Sequence, residues 1–139
     1  MSTIRVDIVS AERQIFSGEA EVVYASAEMG EVGIYPQHAP LITRLKPGEV
    51  RLKLPGSDEQ AMYYVSGGIL EIQPNLVTVL SDTALRADDL DEAKAIEAKQ
   101  HAEQLLADRK SDIDYARAQA ELAEAVAQLQ MLQRLRKVK

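Results

Sequence analysis

The sequence predicts an α+β fold. An N-terminal antiparallel β-sandwich, or flattened barrel, spans residues 1–84, and a C-terminal antiparallel two-helix hairpin spans 85–139. Three observations predict it. All seven Gly lie at or before Gly68 and all five Pro at or before Pro74, and these residues punctuate turns and break helices. Within the first half, apolar and polar residues alternate singly, the period of a strand with one buried face. From Ala84 onward there is neither Gly nor Pro, and the stretch is dense in Ala, Leu, Glu, Lys and Gln, the strong helix formers.

Ile4, Val6 and Ile8 alternate with Arg5 and Asp7 and form the first strand. Ser17-Gly18 reads as a turn into a second strand over residues 19–26, which carries Val22, Val23 and Tyr24. Gly30-Glu31-Val32-Gly33 reads as a turn between strands; it lacks the Lys-Ser/Thr and the following helix of a phosphate loop. Residues 41–45 form a short strand, and Val50, Leu52 and Leu54 alternate with Arg51 and Lys53 in another that ends at the turn Pro55-Gly56-Ser57-Asp58. Residues 61–66 are rich in aromatic and β-branched side chains and form a strand that Gly67-Gly68 breaks or bulges. Ile69, Leu70 and Ile72 continue, Pro74-Asn75 turns, and residues 76–80 return. Many short strands with closely spaced turns are the pattern of a sandwich or barrel.

In the second half Asp89 is the expected N-cap, with Glu92 three residues on and Asp88 as a rival. The first helix is expected to run to about residue 106, with Ala95, Ala98, Ala102 and Leu105 on one face. A polar turn over 107–112 leads to a second helix starting at Ser111 or Asp112, with Tyr115, Ala118, Leu122, Ala125, Leu129 and Leu132 on its apolar face. Burial is worth about 25 cal/mol per Å² of apolar surface. An Ala seam therefore holds weakly, and the hairpin is expected to detach and take a second arrangement.

Composition excludes several classes. Residues 1–83 carry 6 basic and 11 acidic side chains, and the whole chain is net −6. An acidic β-half is the wrong surface for a phosphate backbone, so nucleic acid is not the expected partner. The chain has no cysteine and hence no disulfide framework or thiolate chemistry. No run of 18 apolar residues is present, so no membrane insertion is expected. The strand pattern begins at the N-terminus and leaves no room for a signal peptide, which makes the cytoplasm the expected location.

The two histidines are His38, in the constrained loop Gly33-Ile34-Tyr35-Pro36-Gln37-His38-Ala39-Pro40, and His101, inside the first helix. No acidic residue stands at metal-ligand spacing to His38, His101 reads as a solvated helix residue, and no nucleophile elbow or carboxylate pair is present. No catalytic site, metal or tightly bound cofactor is expected; the chain reads as an interaction module.

The segment from Gly30 to Leu41, Gly-Glu-Val-Gly-Ile-Tyr-Pro-Gln-His-Ala-Pro-Leu, resembles the signature loop of the epsilon subunit of F-type ATP synthases. Tyr64-Val65-Ser66-Gly67-Gly68-Ile69-Leu70-Glu71-Ile72-Gln73-Pro74-Asn75 is similar to the same family, as are Val77-Thr78-Val79-Leu80-Ser81-Asp82-Thr83-Ala84, Ser10-Ala11-Glu12, Ile15-Phe16-Ser17-Gly18 and Leu90-Asp91-Glu92-Ala93-Lys94-Ala95. The motifs occur in order along essentially the whole chain. The resemblance implies a non-catalytic subunit of a proton-transporting ATP synthase, peripheral on the cytoplasmic face of a bacterial inner membrane. It implies a sandwich that packs on the gamma subunit and touches the ring of membrane-embedded c subunits. It implies a hairpin that can lie folded against the sandwich or extend along gamma into the alpha/beta catalytic head, and that blocks ATP hydrolysis when extended.

The resemblance also assigns residues. Glu31 and His38 fall where the family faces the polar loops of the c-ring, and Glu31 would offer a carboxylate to basic ring residues. Some bacterial members bind ATP at a Leu/Ile-Asp-x-x-Arg-Ala motif. Here Asp91 is present, but Lys94 replaces the Arg and loses its bidentate fork, so ATP binding is expected to be weak or absent. Arg134, Arg136, Lys137 and Lys139 form a basic tail, favourable at a helix C-terminus; extended, it would meet acidic surfaces of the catalytic beta subunits. The alternative reading is a stand-alone ATP-sensing module, which tight ATP binding in isolation would reveal.

Overall fold

The computed structural model describes residues 2–107 and 112–138. The chain forms two compact units, Met1–Ala87 and Asp88–Lys139. The first contains β1 (Ile4–Ser10), β2 (Gln14–Ala20), β3 (Val22–Ala27), β4 (Gly30–Ile34), β5 (Leu41–Lys53), β6 (Gln60–Val65), β7 (Gly68–Gln73), β8 (Leu76–Ser81) and β9 (Ala84–Arg86).

Strand β5 organises this unit. Leu41–Leu45 pairs with β7, whereas Gly48–Lys53 pairs with β6 and Val50–Lys53 with β3. One layer is therefore β2-β1-β8-β7-β5, and the other is built of β4, β3, β5, β6 and β9. The sequence predicted two separate strands here. Lys46-Pro47-Gly48 bends one strand instead of ending it, and the bend is tight: a Cβ on Gly48 would lie 3.0 Å from the Ser26 hydroxyl oxygen. The two inner faces bury Val6, Ile8, Val23, Val50, Leu70 and Val79 completely, as two stacked sheets require.

Three other expectations are corrected. Ser17-Gly18 is not a turn but lies inside β2, paired with Asp7 and Val6. Gly18 is there because the Phe16 ring lies over it, 3.1 Å from where a Cβ would be. The real turn is at residues 11–13, where the Ser10 hydroxyl accepts from the Glu12 and Arg13 amides at 3.3 and 3.2 Å. The strand expected over 19–26 is the end of β2 and most of β3, divided at Glu21, whose amide donates to the Lys53 carbonyl at 2.8 Å. Gly30-Glu31-Val32-Gly33 is not a turn but most of edge strand β4.

Pairing is antiparallel except between β1 and β8, which run parallel. β9 pairs with β6, so residues 84–86 belong to the sheet. The boundary between units accordingly follows Ala87, whereas the sequence placed it after Ala84.

The second unit holds α1 (Glu92–Ala107) and α2 (Asp112–Val138), which pack on each other. Asp89 is not the cap of α1, because Ala87–Asp89 form a turn of 3₁₀ helix. Asp91 caps instead: its carboxylate accepts from the Lys94 amide at 3.2 Å and its carbonyl from the Ala95 amide at 3.0 Å. Ala95 and Ala102 are buried on α1, and Ala118, Ala125 and Met131 on α2. Ala98 and Leu105, expected on the same face of α1, are exposed; half-buried Lys99 and Leu106 replace them, so the stripe runs 95, 99, 102, 106.

Candidate functional site

Two outer surfaces of the first unit carry features that packing alone does not require. On the β2-β1-β8-β7-β5 layer, the register aligns Ile42, Glu71, Thr78 and Asp7 in one outward row and Arg44, Ile69, Leu80 and Val9 in the next. Inward neighbours such as Leu70, Ile72 and Val79 are buried, so Ile42, Ile69, Leu80 and Val9 are apolar side chains on the outer face, interspersed with Glu71, Thr78, Asp7 and Arg44. Ile42 is 70% exposed, Ile69 46% and Leu80 45%. A cluster of large exposed apolar side chains in adjacent strands is a candidate contact surface for another macromolecule. The sequence reasoning missed it, although Ile69-Leu70 and Val79-Leu80 break the strict alternation of a solvated face.

The second surface is the outer face of β4, β3 and β5. Arg51 on β5 forms an ion pair and hydrogen bond with Glu31 on β4. Its Nε lies 3.5 Å from Glu49 Oε1, and its guanidinium stands 4.9 Å from the centroid of the Tyr24 ring on β3. A hydrogen bond with Tyr35 holds the Tyr24 phenol above its ordinary range, with the Tyr35 charge and burial adding to it and the Arg51 charge opposing. Nothing in the sequence pattern brings these five residues together.

Glu31 and His38 are not brought together. Glu31 pairs with Ser26 beside the tight turn that joins β3 to β4. Met29 in that turn is 95% exposed. His38 follows the opposite end of β4, in a loop fastened elsewhere. The His38 amide donates to the Tyr35 carbonyl at 3.2 Å, and the Gln37 amide donates to the Pro74 carbonyl at 3.0 Å. Gln37 Nε2 donates to Asn75 at 3.2 Å and holds φ at +68°. His38 Nδ1 lies 2.7 Å from the Ala39 carbonyl, which only an Nδ1–H tautomer satisfies.

Asp91 and Lys94 are both exposed at the head of α1, with the Asp91 carboxylate committed to the cap. Arg134 is exposed near the end of α2. The Arg136 and Lys137 side chains and Lys139 lie outside the described residues. Among the described residues, no three His, Cys, Asp or Glu side chains gather to hold a metal ion, and no helix is long and apolar enough to cross a membrane.

The family model described as ATP synthase, Delta/Epsilon chain, beta-sandwich domain matches residues 3–87, and the one for the long alpha-helix domain matches residues 88–133. The chain belongs to the ATP synthase epsilon chain family. This epsilon chain is 64% identical over 137 residues to the ATP synthase epsilon chain of Nitrosospira multiformis, covering 99% of this chain and 98% of that one. It is 66% identical over 135 residues to that of Nitrosococcus oceani, covering 97% and 96%. Its fold matches a chain of the Euglena gracilis mitochondrial ATP synthase OSCP/F1/c-ring structure with a TM-score of 0.83 at 16% identity, over 95% of this chain and 82% of that one. A chain of the Tetrahymena thermophila mitochondrial ATP synthase central stalk and c-ring matches at TM-score 0.54 and 9% identity, over 64% and 70%. The epsilon chain is a subunit of the ATP synthase complex.

Proposed function

We propose that this epsilon chain links the gamma subunit to the c-ring in the central stalk. Proton flow through the ring is thereby coupled to ATP synthesis, and the helical hairpin acts as a brake on ATP hydrolysis. The observation that carries the reading is the exposed apolar surface around Ile42, Ile69 and Leu80. It is ordered by three hydrogen-bonded strands and costs solubility unless a partner covers it. Gamma is the partner assigned to this face. Glu31 and His38 are assigned to the polar loops of the ring, with the chain peripheral at the cytoplasmic side of the membrane. The brake draws on the Ala seam: Ala95, Ala102, Ala118 and Ala125 bury little area each, so α1 and α2 separate at low cost. The basic residues from Arg134 onward are then presented to the alpha/beta head.

ATP is assigned at most a weak regulatory role at Asp91 and Lys94. The Asp91 carboxylate already serves the cap, and Lys94 meets phosphate only as a point charge. No observation favours a stand-alone ATP sensor.

The test is ATP hydrolysis by an epsilon-free catalytic head of the same complex, with the full chain or with residues 1–87. Inhibition by the full chain and not by the truncation is expected. Ile42→Asp with Leu80→Asp should abolish binding to gamma while leaving thermal stability within about 1 kcal/mol, because both side chains are exposed. Binding undiminished by the double substitution overturns the gamma face, and equal inhibition by both lengths overturns the brake.

A further inference from the structure

We propose that Arg51 is the positioning residue for the carboxylate of Glu31, fixing it on the sheet so that one oxygen is held and the other is left for a cation of the partner; this rests on the reading of Glu31 as a ring contact. Tyr24 stands opposite Arg51, whereas Glu31 stands opposite Ser26, one strand further away and two residues along. Strands lie about 4.8 Å apart, so the Arg51 and Glu31 side chains together close a gap of about 10 Å over β3. Holding the long Arg side chain out over a neighbouring strand costs rotamer entropy unless it is supported along its path.

The support is present at each step. The Tyr24 ring lies beneath the guanidinium at 4.9 Å. Glu49 takes Nε from the near side at 3.5 Å. Gly33, opposite Tyr24 on β4, gives the ring its place, because a Cβ there would lie 3.3 Å from Tyr24 Cε1. Arg51 is only 28% exposed at its side chain while Glu31 is 55% exposed. The cation is thus the fixed member of the pair, and the carboxylate is the presented one. Exposed ion pairs add little stability, so the supports matter more for orientation. A carboxylate with fewer rotamers to lose binds its partner at lower entropic cost.

Lys in place of Arg51 keeps the charge but loses the fork and the flat stacking surface, which separates orientation from charge. The experiment measures the affinity of the full-length chain for the gamma–c-ring rotor of the same complex depleted of this subunit. Wild type, Glu31→Gln, Arg51→Lys and the double variant are compared, with the thermal midpoint of each free chain recorded. Glu31→Gln is expected to weaken binding about tenfold, as for a lost interfacial charge pair. Arg51→Lys alone should weaken it about three- to tenfold, and in the Glu31→Gln background it should have no further effect. An equal loss from Arg51→Lys in both backgrounds, or no loss in either, overturns the positioning role. Unchanged affinity for Glu31→Gln alone overturns instead the reading of Glu31 as a ring contact, and does so independently of Arg51.

Discussion

A Cβ on Gly68 would lie 2.0 Å from the Leu80 carbonyl oxygen, and the residue holds φ at +128°. Both facts forbid a side chain. Backbone strain of one to three kcal/mol and a clash with a strand that cannot move are added together. Gly68→Ala is expected to lower the free energy of unfolding by about 3 kcal/mol or more, read as a lowered midpoint in urea. Tyr63 governs a second residue-scale effect. It is buried against Phe16, with ring centroids 5.8 Å apart, and burial pushes its phenol above the ordinary value of 10.0. The folded chain then holds this proton more tightly than the unfolded chain. The contribution is intact below pH 10 and is lost as pH rises through the folded value. Urea midpoints should fall on the alkaline side, and Tyr63→Phe should flatten part of that slope.

Among elements, α1 and α2 show how little area holds the hairpin. Their buried seam is mostly Ala, whereas the sheet buries Val, Ile and Leu. Amide exchange is expected to be faster in α1 and α2 than in β1, β7 and β8; equal protection would mean that the hairpin stays closed. Asp91→Ala removes the acceptor for the Lys94 amide and should cost the hairpin about 1 kcal/mol, seen as lost helical ellipticity on warming. Ala118 is fully buried, so Ala118→Leu overpacks the seam at a cost of about 1–3 kcal/mol. Strand β5 behaves oppositely. A single strand shared by both layers ties them together, so damage at Gly48 should unfold the sandwich as one unit.

At the scale of the molecule, two separately compact units predict separable behaviour. Residues 1–87 contain the whole hydrogen-bonded sheet. They should fold alone with a cooperative thermal transition and still bind the rotor. A broad, non-cooperative transition of this fragment would show that the hairpin is needed for the sandwich. The outward face around Ile42, Ile69 and Leu80 should then make the fragment self-associate at high concentration when no partner is present.

The sequence alone determined the division into a strand half and a helix half, because Gly and Pro act locally and their absence after Pro74 is visible without any contact map. It also determined which faces of β1 and of the second half of β5 are buried, since the alternation of Ile4, Val6 and Ile8 and of Val50 and Leu52 encodes them. The family was legible from long motifs. Only the tertiary structure decided the rest. The parallel pairing of β1 with β8 and the passage of β5 between layers join residues far apart in sequence, and no local signal records them. Gly18 and Gly33 looked like turn residues, yet their role is to admit the rings of Phe16 and Tyr24. The cap moved from Asp89 to Asp91 because a 3₁₀ turn occupies Ala87–Asp89. Glu31 was named from the sequence, but its partner Arg51 was not: the two meet across an intervening strand, and register, which sets who meets whom, is a property of the folded sheet.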